Sequence, residues 1–206
     1  NELRLGRFTV PSQEGMPRLL LGTWKGCAHM MRRMGCVVVM LASLLVIPAE
    51  AQSDRDVIHR IDALADEYAD IAQHIWDLAE VGYQEVQSSE LLQERLRDAG
   101  FIVESGAAGM PTAFVASYGS GTPVVGIMAE FDALPGISQE RNAERAIVES
   151  KTAGHACGHH LFGTASVAAA IAAKEWLVGS ERPGTIRLYG TPAEEGGGGK
   201  DYICIL

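Results

Sequence analysis

Cys157 and His159 stand inside the run Gly154-His155-Ala156-Cys157-Gly158-His159-His160, one thiol and three imidazoles in close succession. Thiolate, imidazole and carboxylate are the side-chain classes that bind divalent transition metals. A single glycine separates Cys157 from His159, so a bent backbone can aim both at one point. The pair suits zinc, with manganese or cobalt possible if carboxylates complete the shell. Further along, Thr191-Pro192-Ala193-Glu194-Glu195 runs into Gly196-Gly197-Gly198-Gly199. Neighbouring side chains of a regular strand point to opposite faces, so Glu194 and Glu195 reach one site only if the strand ends there. Pro192 and the glycines predict that it does. One carboxylate can then bind metal while the other acts as general base on a metal-activated water. The glycine run followed by Lys200-Asp201 lacks the spacing and the Ser or Thr of a phosphate-binding loop.

A third group lies in Ala129-Glu130-Phe131-Asp132-Ala133-Leu134-Pro135-Gly136, at the end of an apolar strand. Asp132 can orient a metal-bound histidine from there; a strand-end turn with an exposed Asp accounts for the residues equally well. Other chemistries stay open for the cluster. Cys157 could be a nucleophile activated by His155 or His159, it could pair with Cys204 in a disulfide, or the cluster could belong to a non-catalytic metal- or ligand-binding module.

The elements that must position these groups can be read from periodicity. Apolar residues from Ile58 to Leu78 recur at helical spacing. A second helix is predicted from a Ser88 or Ser89 N-cap to a stop at Gly100. Short β-prone runs follow at 101–103, 113–118 and 124–129. Gly119-Ser120-Gly121-Thr122-Pro123 predicts a hairpin between the last two. A helix with a small-residue face covers 163–177, and a strand over 185–189 leads into the Glu-Glu pair. Residues 138–151 read as a surface loop. Helices alternating with strands predict a layered α/β domain.

The chain has 206 residues, a formal net charge of −9 and a mean hydropathy of +0.07. From Gln52 onward it carries 11 Lys and Arg against 23 Asp and Glu, a balance of −12, with no basic stripe. Nucleic acid is excluded as an expected partner. Arg32-Arg33, an apolar run over 35–47 and Ala49-Glu50-Ala51 read as a secretory signal cleaved after Ala51. The apolar run is too short to span a bilayer, and no membrane span is expected after cleavage. The expected location is periplasmic or secreted. Residues 1–29 read as an extension upstream of the true start at Met30 or Met31, 52–200 as a partial catalytic domain, and 201–206 as an aberrant tail.

Taken together, Glu130-Phe131-Asp132-Ala133-Leu134-Pro135-Gly136, His155-Ala156-Cys157-Gly158-His159 and Thr191-Pro192-Ala193-Glu194-Glu195-Gly196-Gly197-Gly198-Gly199-Lys200 resemble the amidohydrolase branch of the aminoacylase/carboxypeptidase metallopeptidases. The likeness is greatest to its aminobenzoyl-glutamate hydrolase and hippurate hydrolase members. The resemblance implies a metallopeptidase catalytic domain, a central mixed sheet flanked by helices, with two divalent metal ions, zinc or manganese. It implies hydrolysis of the amide bond in N-acyl amino acids, dipeptide-like or aminobenzoyl-glutamate-like substrates by an enzyme that is a homodimer when intact. It makes Cys157, His159 and Glu195 metal ligands, Glu194 the general base and Asp132 the carboxylate that orients a ligand; Glu130 receives no role. His160 departs from the family, where many relatives carry Asp. Further histidine ligands and a lid or dimerisation domain are expected beyond Leu206, so the chain reads as a truncated piece, inactive alone.

Overall fold

The computed structural model describes residues 54–204, so the extension over 1–29 and the signal over 30–51 lie outside the described residues. Helix α1 (Asp54–Ala63) and helix α2 (Ala65–Leu78) are two helices where the periodicity predicts one. The break falls at Leu64, whose backbone (φ −106°, ψ 8°) leaves the helical well. Only α2 contributes to the core, through Tyr68, Ala72 and Ile75, whereas Ile58 and Ile61 of α1 stay exposed.

Helix α3 (Val86–Asp98) begins ahead of both candidate caps. Its N-cap residue is Glu85, which makes no side-chain cap. The cap comes from outside the helix: Glu80 accepts the N–H groups of Gln87 at 3.1 Å and Ser88 at 2.8 Å. This satisfies donors that a helix start leaves without partners. Ser88 adds its hydroxyl to Glu80, and Ser89 donates to the Thr112 carbonyl. Both serines are buried in the first turn rather than capping it.

Strands β1 (Ile102–Ser105), β2 (Phe114–Ser120), β3 (Val124–Ala129) and β6 (Gly184–Gly190) form a mixed sheet in the order β1-β2-β6-β3. The expected hairpin between β2 and β3 does not form. Strand β6 lies between them, antiparallel to β2 and parallel to β3. The glycine-rich turn does reverse the chain, but it does so around the start of β6: Thr185 donates its N–H to the Pro123 carbonyl and its hydroxyl to the Gly121 carbonyl. Turn residues specify a reversal, not the strand that fills it. Burial decides the partner, since β6 buries Gly184, Thr185, Ile186, Leu188 and Gly190 and thus belongs at the sheet's centre.

Helix α4 (His159–Ser180) crosses from β3 to β6 and starts earlier than the apolar pattern suggests, so His159 and His160 occupy its first turn. Its length and composition would suit a bilayer span, yet Val167, Ala170 and Ile171 pack in the core. That core joins them to Ile75 of α2, Leu92 and Leu96 of α3, and Phe114, Ala116, Ile186 and Leu188 of the sheet. A two-stranded ribbon of β4 (Leu134–Pro135) and β5 (Ala153–Gly154) closes the irregular segment 138–151. Helix α5 (Gly199–Ile203) follows the glycine run, and its Ile203 is buried against Met110 and Ala113. Cys157 and Cys204 are exposed free thiols, which removes the disulfide alternative.

Candidate metal centre

The β3–α4–β6 crossover brings the three motifs to one end of the sheet. Ala129 at the end of β3 pairs with Gly190 at the end of β6. The segments carrying Asp132 and Glu194 therefore leave adjacent parallel strands at their carboxyl ends, where open α/β sheets place their sites. A helix returning between two parallel strands starts at that same end, which puts Gly158, His159 and His160 there. The helix seats closely because residue 163 is glycine: a Cβ there would lie 2.6 Å from the Glu130 carbonyl oxygen.

His159 is the hub. Its Nδ1–H donates to Asp132 Oδ1 at 2.9 Å, and the Asp132 side chain has no solvent exposure. The other Asp132 oxygen accepts the Glu195 N–H at 2.9 Å. One buried carboxylate thus fixes both the imidazole and the backbone carrying the Glu-Glu pair, the arrangement that sets tautomer and ring orientation in metal-binding histidines. With Nδ1 engaged, Nε2 faces Glu130 Oε2 at 3.0 Å and Glu194 Oε2 at 3.7 Å. That nitrogen can face the two carboxylates favourably only with a proton or a metal ion on it.

Ligand atoms of Cys157, His159 and Glu195 lie within 4.8 Å of one another, and those of Glu130, His159 and Glu194 do the same. A buried Glu195 oxygen, Oε1, has no hydrogen-bond partner. Sulfur, nitrogen and carboxylate donors sharing one histidine, with an orphaned buried oxygen, fit a divalent metal. The Cys157 thiol is held above its ordinary pKa by its hydrogen bond to Glu195, then by desolvation and the charges of Glu195, Glu194 and Glu130. Reactive cysteines sit in electropositive surroundings. This one faces carboxylates, which disfavours Cys157 as an unassisted nucleophile.

The predicted residues Asp132, Cys157, His159, Glu194 and Glu195 are therefore neighbours. His155 and His160 are not among the clustered donors. His155 Nε2–H donates to the Ile75 carbonyl at 3.1 Å, and burial, reinforced by His160, lowers its pKa to about 4. His160 packs edge-on to Trp76 with ring centroids 4.9 Å apart. Two residues without an assigned role join the site. Glu130 belongs to the second donor group, and Lys200 lies against Glu130 and 3.8 Å from Glu194 Oε1. Partial burial opposes the Lys200 charge, but Glu130, with Glu194 and Asp132, holds its pKa above the ordinary lysine value. The lysine directly after a glycine run that follows two carboxylates was the available signal for its position.

The mixed sheet and the donor set fit part of a metal-binding α/β domain. Residues 126–205 match Peptidase family M20/M25/M40, so this segment is similar to part of an M20-type catalytic domain. One of the subunits of the p-aminobenzoyl-glutamate hydrolase of Escherichia coli K12 is 46% identical over 144 residues, covering 69% of this chain and 30% of that protein. The Xaa-Arg dipeptidase of Homo sapiens is 33% identical over 156 residues, covering 68% and 32%. A Bacillus subtilis structure described as a dinuclear metal-binding peptidase from the M20 family superposes with a TM-score of 0.54 at 26% identity, over 65% of this chain and 36% of that one. A structure from methicillin resistant Staphylococcus aureus shares the fold with a TM-score of 0.62 at 22% identity, over 74% and 39%. The chain spans about a third of the length of the curated relatives it matches.

Proposed function

We propose that this chain carries the metal-binding part of an exported amidohydrolase that cleaves N-acyl amino acids or aminobenzoyl-glutamate-like substrates. The observation that carries the reading is the convergence of Cys157, His159 and Glu195 donor atoms around an imidazole fixed by Asp132. The name of the Escherichia coli relative supports the substrate class. Cys157, His159 and Glu195 would hold one divalent ion, and the carboxylates of Glu130 and Glu194 face a second beside it; zinc suits the thiolate-containing set, with manganese the alternative. Bound there, such ions supply Lewis-acid polarisation of a carbonyl and a lowered pKa for water.

The chain's own residues would do the rest. Glu194 is the more exposed of the adjacent carboxylates, 38% against 17% for Glu195, so it can meet a water and a substrate. Its carboxylate would accept the proton of the attacking water and return it to the leaving amine. Asp132 would keep His159 Nδ1 protonated and Nε2 free for a metal. Lys200 would balance charge beside Glu130 and Glu194. The intact enzyme would be a homodimer.

Calorimetric titration of the full chain with zinc tests the centre. The expected result is binding that Cys157→Ala weakens about tenfold or more. Affinity unchanged in the variant would remove Cys157 from the coordination shell. No binding to the parent chain would overturn the metal centre. Release of p-aminobenzoate from p-aminobenzoyl-glutamate, lost on Glu194→Gln, would test the reaction assigned to the intact enzyme.

A further inference from the structure

The loop between α2 and α3 makes no part of the donor set, yet it grips both carboxylate segments. The Glu80 backbone carbonyl accepts the Ala133 N–H at 2.8 Å, and Val81 forms a parallel bridge with Ala133, next to Asp132. Gly82 packs on the other segment, where a Cβ would lie 2.9 Å from the Ala193 Cβ. Tyr83 donates its hydroxyl to the Gly197 carbonyl at 2.6 Å. Glu85 completes the grip. Its side chain is fully buried, its Oε1 accepts the Ala193 N–H at 2.8 Å, and its Oε2 accepts the Thr112 hydroxyl at 3.1 Å. Because Glu80 caps α3 from outside, the Glu85 carboxylate is free of the capping duty its position would suggest.

Ala193 needs that support. It is a non-glycine residue at φ +55°, a left-handed conformation that is unfavourable for a residue with a Cβ and persists only where the surroundings enforce it. It directly precedes Glu194 and Glu195. We propose that Glu85 is a positioning residue: its bond to the Ala193 amide holds the left-handed kink that turns Glu194 and Glu195 toward His159. The proposal rests on the metal-centre reading only for its functional consequence, since the kink itself is independent of any ion.

The test compares Glu85→Ala and Glu85→Gln in the full chain by amide hydrogen exchange. Gln keeps an oxygen for the Ala193 N–H and can turn its amide toward the Thr112 hydroxyl. The expected result is exchange in 191–198 about tenfold faster in the Ala variant, α4 unchanged, and near-complete rescue by Gln. No loosening, loosening spread equally over α4, or failure of Gln to rescue would overturn the proposal. Should Glu85→Ala fail to fold, Tyr83→Phe carries the test. It removes only the exposed tyrosine's bond to Gly197, and exchange at 195–198 must rise about threefold for the grip to stand. Cobalt(II) titration of the same proteins separates the two readings. Weaker binding in Glu85→Ala, restored in Glu85→Gln, links the kink to the centre. A parent chain that binds no cobalt removes the metal centre and leaves the kink to be judged on exchange alone. Equal cobalt affinity in parent and Ala variant overturns the functional role assigned to Glu85.

Discussion

Two buried carboxylates act on the site without belonging to its donor set, and their surroundings differ. Asp132 is surrounded by donors, the His159 imidazole and the Glu195 amide, which engage its two oxygens. Glu85 has the Ala193 amide and a hydroxyl, and desolvation outweighs them: its pKa lies above the ordinary carboxylate value of 4.5. A folded-state pKa above the unfolded one means the folded chain holds more protons. The resulting stabilisation is fully present below about pH 4.5 and is lost as pH rises through the folded-state value. Glu85→Gln cannot titrate. Urea unfolding across a pH series should therefore show the variant gaining on the parent as pH rises above 4.5, with the difference levelling once Glu85 is ionised. A difference that is flat with pH would show that Glu85 titrates normally.

At the scale of elements, the β3–α4–β6 crossover determines whether a site exists, and its tightest point is Gly163. Replacing a helical glycine by alanine ordinarily stabilises by about 0.5–1 kcal/mol. Here the new Cβ would lie 2.6 Å from the Glu130 carbonyl oxygen, with Leu92 and Phe131 behind it. Overpacking of this kind costs about 1–3 kcal/mol, and the obstacle is backbone rather than a flexible side-chain end. Overpacking should win. Gly163→Ala is expected to unfold at lower urea concentration by about 1–2 kcal/mol net and to weaken zinc binding, because the strain falls on the segment holding Glu130 and Asp132. A more stable variant would show that α4 can move away without cost. These relationships explain what the sequence could and could not disclose. The clustering of Cys157, His159 and the Glu-Glu pair was legible because their residue types and local spacing are those of metal donors. Strand β3 was legible to the residue, because its apolar run is bounded by Pro123 and Glu130. The partner of β2 was not, since turn residues at 119–123 do not encode which strand arrives later. Nor was Glu85, whose importance comes from a contact 108 positions away.

For the whole molecule, the governing fact is negative charge gathered at one place. The chain's formal charge is −9, and Glu130, Asp132, Glu194 and Glu195 converge around one imidazole, with Lys200 against Glu130 and near Glu194. Such a cluster opposes folding through self-repulsion until a cation offsets it. A ligand that binds only the folded state stabilises by about 2.7 kcal/mol at a hundred times its Kd. For a chain of this size that corresponds to a rise in Tm of about 5–10 °C. Zinc at such excess should raise Tm by that amount, chelator should reverse it, and Cys157→Ala should shrink it. Sodium chloride at equal ionic strength is the necessary control, because screening relieves repulsion between exposed charges without occupying a site. A zinc effect reproduced by sodium chloride would reduce the convergence to an acidic surface. A rise specific to zinc and dependent on Cys157 requires the sulfur, nitrogen and carboxylate donors to act together on one ion.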